Sequence, residues 1–176
     1  GSPGAVYVVF GRGDFPAEVA LNTLGPGEGF KAVGDGRIAR TARAGRSVAG
    51  VGDVNGDGFA DMLVGSPGAN PQDYCYGGDP YSCYTVYNGR AYVVYGRAAG
   101  DAFPQQLELA DLDGARGFAL DANNTDARLG VSVAGAGDLN GDGVADMALG
   151  APGAAAASYG SSGPASSDHG RVYVVF

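Results

Sequence analysis

Short apolar segments bounded by glycine recur along the chain and define its predicted secondary structure. Three of them are close copies rich in valine and tyrosine, namely GAVYVVF (4–10), GRAYVVYG (89–96) and GRVYVVF (170–176). Each is too short for a stable helix, and its apolar residues are consecutive instead of alternating. Consecutive apolar residues are typical of a strand that is covered on both faces. The pattern therefore predicts β-strands packed between two layers.

Less regular apolar segments predict the remaining strands. Two segments of small residues, 47–52 and 132–137, suit a crowded innermost strand. A polar loop after each leads into a further apolar segment, at 60–65 and 145–150. The weaker strands are predicted near 18–24, 29–33, 106–109 and 117–120.

A long internal duplication sets the domain organisation. GRSVAGVGDVNGDGFADMLVGSPGA (45–69) matches GVSVAGAGDLNGDGVADMALGAPGA (130–154) without a gap, 85 residues further on. Self-similarity at a fixed period is the sequence sign of a repeat architecture. We expect a single all-β repeat region over residues 1–176. Its repeat units span about 4–88 and 89–176, with both chain ends falling inside a unit.

Strands covered on both faces in an all-β repeat suit the blades of a β-propeller, where each sheet packs between its two neighbours. The predicted fold class is therefore all-β, with antiparallel propeller-type blades. A closed propeller takes typically four to eight blades, whereas this sequence carries about two repeats. We expect further blades of a longer chain, or other copies of this chain, to complete it as a ring or a filament.

Composition and charge exclude several classes of partner. Glycine supplies 33 of the 176 residues, and the 16 aspartates far outnumber the three glutamates, a bias that favours turns over helices. The formal net charge is −8 and no basic run is present, which argues against nucleic acid. No apolar run reaches 18 residues, so we expect no membrane insertion.

Each copy of the duplication contains the pattern D-x-N-x-D-G-x-x-D. In the first loop Asp53, Asn55, Asp57 and Asp61 occupy positions 1, 3, 5 and 9, and Phe59 at position 7 can add a backbone carbonyl. Alternate side chains of such a turn point into one hollow, and hard oxygen ligands without a soft one select calcium. We expect two Ca²⁺ sites that are coupled to folding. The second loop repeats the ligand set with Asp138, Asn140, Asp142, Val144 and Asp146.

Two alternatives to this calcium site can be weighed from the residues. An EF-hand requires a glutamate at position 12, but Val64 and Leu149 stand there and the flanks are strand-like. The pattern therefore excludes an EF-hand. A hairpin turn without metal is the other alternative, and the three mutually repelling carboxylates in each of two copies argue against it.

The residues around the acidic loops carry a family resemblance. Gly45 or Leu129-Gly130 before the loop, and Gly65-Ser66-Pro67 or Gly150-Ala151-Pro152 after it, resemble the FG-GAP repeats of integrin α-subunit β-propellers. Similar repeats occur in secreted bacterial proteins and in some fungal lectins. The resemblance implies a secreted bacterial propeller protein whose loop residues bind calcium. The repeats depart from the pattern at two positions, Ala44 in place of the FG aromatic and Ser66 in place of the GAP alanine.

The two cysteines, Cys75 and Cys83, lie eight residues apart in one segment with tyrosine, glycine and proline around them. This spacing favours a local disulfide and hence an extracellular or cell-surface location. Two free thiols and half of a zinc site are the alternatives. A zinc site needs four nitrogen or sulfur ligands, and the single histidine, His169, is far away in sequence.

The same segment, 70–88, holds half of the tyrosines. Tyrosine provides contact area at low entropic cost and a hydroxyl for sugars or proteins. The segment is therefore a candidate ligand surface, and the alternative is an insertion that packs on its own blade. The residues concerned are Tyr74, Tyr76, Tyr81, Tyr84 and Tyr87.

Two further motifs favour ordinary structure. Arg12-Gly13-Asp14 is a tripeptide that integrins recognise, but the second copy has the same turn without it, at 97–101, so a turn is favoured. Ser166, Ser167, Asp168 and His169 lie in a glycine- and serine-rich segment without a nucleophile elbow. One histidine leaves little for acid–base chemistry, and we expect no enzymatic activity.

Together these observations predict a calcium-binding extracellular module with a structural or adhesive role in protein assembly or cell-surface interaction. Its partners would be further blades, other copies of itself, or an extracellular protein or glycan. Two alternatives stay open. One is a carbohydrate-binding, lectin-like propeller, and the other is a non-catalytic propeller appendage of a secreted enzyme.

Overall fold

The computed structural model describes residues 3–36, 42–75, 81, 83–98, 100–122, 126–154 and 170–176. These residues form twelve strands and two short 3-10 turns, at Leu21–Thr23 and Leu109–Asp111. The strands are β1 (Ala5–Val9), β2 (Gly29–Val33), β3 (Ser47–Gly52), β4 (Asp61–Ser66), β5 (Pro71–Cys75), β6 (Cys83–Tyr87), β7 (Arg90–Val94), β8 (Gln106–Glu108), β9 (Gly117–Asp121), β10 (Ser132–Gly137), β11 (Asp146–Ala151) and β12 (Arg171–Val175).

One four-stranded antiparallel sheet, with the order β3-β4-β7-β9, forms a complete blade in the middle of the chain. Its first strand, β3, contains only serine, valine, alanine and glycine, which allows the neighbouring backbone to approach closely. Strands β5 and β6 form a separate antiparallel hairpin that is inserted between β4 and β7 in the sequence. We refer to the four-stranded sheet β3-β4-β7-β9 as the middle blade.

The other sheets repeat parts of the middle blade. The three-stranded sheet β10-β11-β12, which we call the third blade, has the same antiparallel order as β3-β4-β7. Strands β1 and β2 form an antiparallel pair that corresponds to the pair β7 and β9 of the middle blade. Strand β8 pairs with β2 in the parallel direction. The architecture confirms the predicted fold class, because antiparallel propeller-type blades are present and the described sheets do not close into a barrel.

Two apolar cores lie between the three larger sheets, and β7 contributes residues to both cores. Ala91 and Val93 face the third blade, where they pack with Leu63, Met147 and other residues. Tyr92, the neighbour of both, packs in the opposite core, against β1 and β2. Alternate residues of a strand point to opposite faces, so the consecutive apolar residues of β7 are all covered, as the sequence pattern predicts.

The innermost strands β3 and β10 approach each other closely. A Cβ atom on Gly135 would lie 3.0 Å from the Gly50 carbonyl oxygen and 3.1 Å from the Val51 Cα. The Ser47 hydroxyl donates a hydrogen bond to the carbonyl of Gly130, at 2.9 Å, and so ties the middle blade to the third. The small residues that predicted a crowded innermost strand are therefore required by the contact between blades.

Most of the weaker strand predictions are confirmed, and one is wrong. Strands are present at Gly29–Val33, Gln106–Glu108 and Gly117–Asp121, but the strand expected near 18–24 is absent. A 3-10 turn occupies Leu21–Thr23, where the Thr23 N–H donates to the Ala20 carbonyl at 3.1 Å. This local hydrogen bond replaces the ladder that a strand would need.

None of the helices in the described part of the chain has the length and apolar character needed to cross a bilayer.

Candidate metal centre

Each acidic loop joins the first two strands of a blade. The first connects β3 to β4 and the second connects β10 to β11, and in both cases a bulge shifts the strand register just before the loop, at Gly50/Gly52 and Gly135/Gly137. A bulge increases the local twist and redirects the chain. The duplicated sequence therefore produces two loops with the same entry into the turn.

Asp53 at position 1 is held by the backbone of its own loop. Its Oδ1 accepts hydrogen bonds from the N–H of Gly56, at 2.7 Å, and of Asp57, at 3.1 Å, and its Oδ2 accepts from Gly58 at 2.7 Å. The Gly58 N–H, followed by those of Gly56 and Asp57, holds the pKa of this carboxyl below its ordinary value. Asp53 is therefore predisposed to carry a negative charge.

Positions 3 and 5 form a second layer of the same turn. The Asn55 Oδ1 accepts from the Asp57 N–H at 3.0 Å, while the Asn55 Nδ2 donates to the Asp57 Oδ2 at 2.8 Å. The other oxygen of Asp57 accepts from the Phe59 N–H at 2.8 Å. Three side chains from alternate positions thus lie together in one exposed turn, as the spacing predicts.

Asp61 at position 9 anchors the loop to the blade. Its side chain is buried at the start of β4, where Oδ2 accepts from the Val54 N–H at 2.9 Å and Oδ1 accepts from the Gly96 N–H at 2.7 Å. Burial raises the pKa of this carboxyl, although the two hydrogen bonds oppose the shift. Sequence reasoning missed Gly96, because only the pairing of β4 with β7 brings it to the loop.

The second loop has the same geometry in its exposed part. Its position 1 carboxylate accepts from Gly141 at 2.7 Å, from Asp142 at 3.1 Å and from Gly143 at 2.8 Å. The two loops therefore agree to within about 0.1 Å in these contacts. The N–H of Val144, followed by the side chain of Asn140, holds the pKa of Asp142 below its ordinary value.

The two loops differ at position 9. Asp146 Oδ2 accepts from the Leu139 N–H at 2.6 Å, but its buried Oδ1 has no hydrogen-bond partner within the described part of the chain. In the first loop the Gly96 N–H supplies the partner of the corresponding oxygen. A buried carboxylate oxygen without a partner is unfavourable and is available to a cation.

The donor set fits a hard divalent cation. Each loop offers three carboxylates and one amide oxygen, which are the ligands that calcium prefers. Within the described residues, however, no group of three or more His, Cys, Asp and Glu side chains is already arranged to hold a metal ion. In the first loop the Asp53 and Asp57 oxygens accept hydrogen bonds from backbone N–H groups. Calcium binding by the two loops therefore stays a prediction.

The structure contains the predicted disulfide. Cys75, the last residue of β5, and Cys83, the first residue of β6, lie directly opposite each other and are bonded. Tyr81 and Tyr84 are exposed, with 96% and 44% of their surfaces accessible, and Tyr87 is half-buried.

The hairpin does not bring its tyrosines to the acidic loops, because it follows the opposite end of β4. Tyr76 lies outside the described residues, and only the backbone of Tyr74 is described. Whether this surface binds a ligand stays a prediction.

The remaining motifs do not add to the metal centre. The Arg12 guanidinium donates to Glu28 at 2.8 Å and lies 5.3 Å from the centre of the Phe15 ring. The arginine of the Arg-Gly-Asp tripeptide is thus engaged within its own chain. Residues 166–169, which include the single histidine, lie outside the described residues.

Comparison with known proteins identifies the repeat. The model of the FG-GAP repeat family matches residues 44–94 and 129–175, which together make up more than half of the chain. The protein therefore belongs to the FG-GAP repeat family. Each match runs from just before the innermost strand, through the acidic loop, to the Val-Tyr strand of the same blade.

Several curated proteins are similar to this chain over part of their length. Integrin alpha-2 of Mus musculus is 31% identical over 115 residues, which is 64% of this chain and 8% of the relative. Integrin alpha-PS5 of Drosophila melanogaster is 28% identical over 159 residues, or 87% of this chain and 12% of the relative. Phosphatidylinositol-glycan-specific phospholipase D of Bos taurus is 37% identical over 100 residues, or 57% and 10%. The chain thus spans about a tenth of the length of these relatives.

Proposed function

We propose that this chain is a calcium-binding, non-catalytic propeller module that functions outside the cytoplasm in protein assembly or cell-surface interaction. The observation that carries the proposal is the duplication of one acidic turn, with matching hydrogen bonds, in two FG-GAP repeats. Each turn places two solvent-accessible carboxylates and a buried third one around a single reversal of the chain. A bound cation would neutralise their repulsion and stabilise the connection between the first two strands.

The extracellular location is supported by the disulfide between Cys75 and Cys83, because such bonds persist in oxidising compartments. It is also supported by the similarity to integrin alpha chains. A structural role for the metal agrees with the position of the loops at the surface, where each connects the first two strands of a blade.

The calcium proposal is tested by titrating the full 176-residue chain with CaCl₂ in a calorimeter. We expect two sites with dissociation constants of about 0.1–1 mM, the range of extracellular modules. Saturating calcium should raise the free energy of unfolding, by about 2.7 kcal/mol per site at one hundred times the dissociation constant. No heat and no stabilisation at about ten times the weakest expected constant would contradict the proposal.

Matched variants assign the sites. Asp57→Asn should abolish one calcium site and Asp142→Asn the other, each leaving the second intact. Asp14→Asn removes the same charge from an exposed position outside both loops and should leave both sites unchanged. If Asp14→Asn weakens binding as strongly as the loop variants, the effect is one of overall charge and the assignment is wrong.

The assembly role is supported by the open face of the third blade. Val172, Val174 and Phe176 expose 72%, 40% and 71% of their surfaces, so an apolar face is uncovered in the single chain. Light scattering with calcium and with chelator measures the native mass. We expect oligomers of this chain or complexes with further blades. A folded monomer in both conditions would defeat the assembly role.

A second candidate is a propeller appendage of a secreted enzyme. The similarity to phosphatidylinositol-glycan-specific phospholipase D of Bos taurus favours it. Mass spectrometry and peptide sequencing of the native polypeptide distinguish the two candidates. A catalytic domain in the same polypeptide would support the appendage, and its absence would support the independent module.

A further inference from the structure

A cavity of about 390 Å³ lies between the middle and third blades, at the end of β3 and β4 opposite the acidic loop. Its walls come from the segments before β3 and β10, from the turn after β4 and from the last residue of β6. The residues that matter here are Arg43, Arg46, Arg128, Tyr87, Pro67 and Gly68. The cavity therefore brings three arginines together with one tyrosine from the predicted ligand surface.

Positive charge is concentrated at this cavity, although the chain as a whole carries −8. Arg43 and Arg46 have no carboxylate within ion-pair distance in the described part of the chain. Arg128 pairs with Asp126, from Nη2 to Oδ2 at 2.8 Å, which leaves the cavity with an excess of cationic groups. Clefts lined by one sign of charge concentrate ligands of the opposite sign.

Two of the arginines have an unfavourable backbone conformation. Arg43 and Arg128 occupy corresponding positions of the repeat and have φ angles of 56° and 54°, a region that residues with a Cβ rarely adopt. Such residues persist only where the surroundings hold them, and they cluster at binding sites.

The surroundings of Arg43 are well fixed. The Ser66 hydroxyl donates to the Ala42 carbonyl at 2.7 Å, and the Gly68 N–H donates to the same oxygen at 3.1 Å. The Arg46 N–H then donates to the Arg43 carbonyl at 3.1 Å and closes the turn. Arg43 and Arg46 therefore project from a backbone that is held in place before any ligand binds.

The third blade provides an internal comparison. The cavity at its corresponding end is lined by Val131, Pro152 and Arg171. Val131, which also borders the arginine cavity, stands where the middle blade has Arg46. The repeat thus folds with valine at this position, so the fold itself does not require an arginine there. The arginine at position 46 is therefore available for binding.

We propose that this cavity binds a small ligand through an oxyanion, which is a carboxylate, a sulfate or a phosphate. The planar guanidinium groups of arginine match such anions with paired hydrogen bonds, and the volume is within the range of ligand pockets. Tyr87 adds an aromatic ring and a hydroxyl for the uncharged part of the ligand. The proposal goes beyond the calcium-binding function, because it requires no metal.

The test is a calorimetric titration of the full chain at low ionic strength with sodium sulfate, sodium phosphate, sodium glucuronate and glucose. We expect one oxyanion site per chain, with glucose binding at least tenfold more weakly. Tightest binding of glucuronate would indicate an acidic sugar, and tightest binding of sulfate or phosphate would indicate the corresponding ester. Absence of binding by all three anions, or equal binding of glucose, overturns the proposal.

Variants connect the binding to the named residues. Arg46→Gln should weaken oxyanion binding at least tenfold, and its thermal unfolding should match that of the wild type because the side chain is exposed. Arg43→Asn should also weaken binding at least tenfold without loss of stability, since asparagine tolerates the left-handed backbone. Arg12→Gln changes the charge equally beyond the far end of β1 and should leave binding unchanged. If all three variants weaken it equally, the cavity is not the site.

Discussion

Strands β7 and β12 have almost the same sequence, RAYVV and RVYVV, but different surroundings. In β7 Ala91 and Val93 are completely buried against the third blade. The corresponding Val172 and Val174 of β12 expose 72% and 40% of their surfaces. Strand β7 also pairs on both edges, whereas β12 pairs only with β11 within the described residues.

The difference shows that the burial of a strand in this fold depends on whether a neighbouring sheet packs against it and not on the sequence of the strand itself. The apolar pattern of β12 is that of a strand covered on both faces, and one of its faces is open in this chain. Whatever covers that face in the assembled protein should imitate the contact that the third blade makes with Ala91 and Val93. Pairs of matched substitutions in the two blades measure this directly.

The largest effect is expected for a charge placed in the covered face. Val93→Asp buries a carboxylate in the core between blades and should cost about 4 kcal/mol or more, enough to abolish cooperative unfolding. Val174→Asp should cost less than about 1 kcal/mol when it is measured at protein concentrations too low for copies of the chain to associate. Urea unfolding followed by circular dichroism measures both. Similar losses for the two variants would mean that β12 is covered in the isolated chain.

The next effect concerns a close approach between blades. A Cβ on Gly65 would overlap the Gly130 backbone oxygen of the third blade. The three atoms nearest to a Cβ on Gly150 within the described residues all belong to Ser132 of its own blade. Gly65→Ala should therefore cost about 2–3 kcal/mol and Gly150→Ala about 1 kcal/mol. Denaturant midpoints measure the pair, and an equal loss would contradict the reading of Gly65 as a contact between blades.

A smaller effect is expected at position 9 of the acidic loops. Both oxygens of Asp61 accept N–H groups, so an amide in its place must leave one of them unsatisfied. In chelator Asp61→Asn should cost about 1–2 kcal/mol. Asp146→Asn should cost less than about 0.5 kcal/mol, because only one of its oxygens accepts an N–H within the described residues. Thermal unfolding in chelator would refute this interpretation if the order were reversed.

The smallest effect on stability is expected at the first residues of β7 and β12, which are both arginines. Arg90 donates from Nε to Asp121 Oδ1 at 2.6 Å and from Nη2 to Oδ2 at 2.7 Å, and this contact raises the pKa of the guanidinium. Arg90→Gln should cost about 1 kcal/mol, since the pair is partly exposed. The control is Arg171→Gln, which has no such ion pair in the described part of the chain and should be neutral in the same unfolding assay.

Much of the fold could be predicted because the same strand pattern occurs in both copies of the repeat. The two acidic turns, which begin at Asp53 and Asp138, could be predicted because their side chains interact with groups only a few residues away. The strand expected near 18–24 failed because its residues close a local turn at Leu21–Thr23, which a short apolar pattern does not reveal. The parallel addition of β8 to β2 was also missed, because nothing in either segment specifies a partner distant in sequence.

The sequence by itself determined the individual strands, the repeat and the acidic turn. The strands and the turn depend on apolar segments, glycine positions and hydrogen bonds over fewer than ten residues, and the repeat is visible as two matching segments. Only the tertiary structure decided which faces are covered, which N–H reaches Asp61, and that Arg43, Arg46 and Arg128 surround one cavity. Those features join residues from different blades. They depend on how the sheets pack against one another. Local sequence preferences do not specify which sheets pack together or how close they lie.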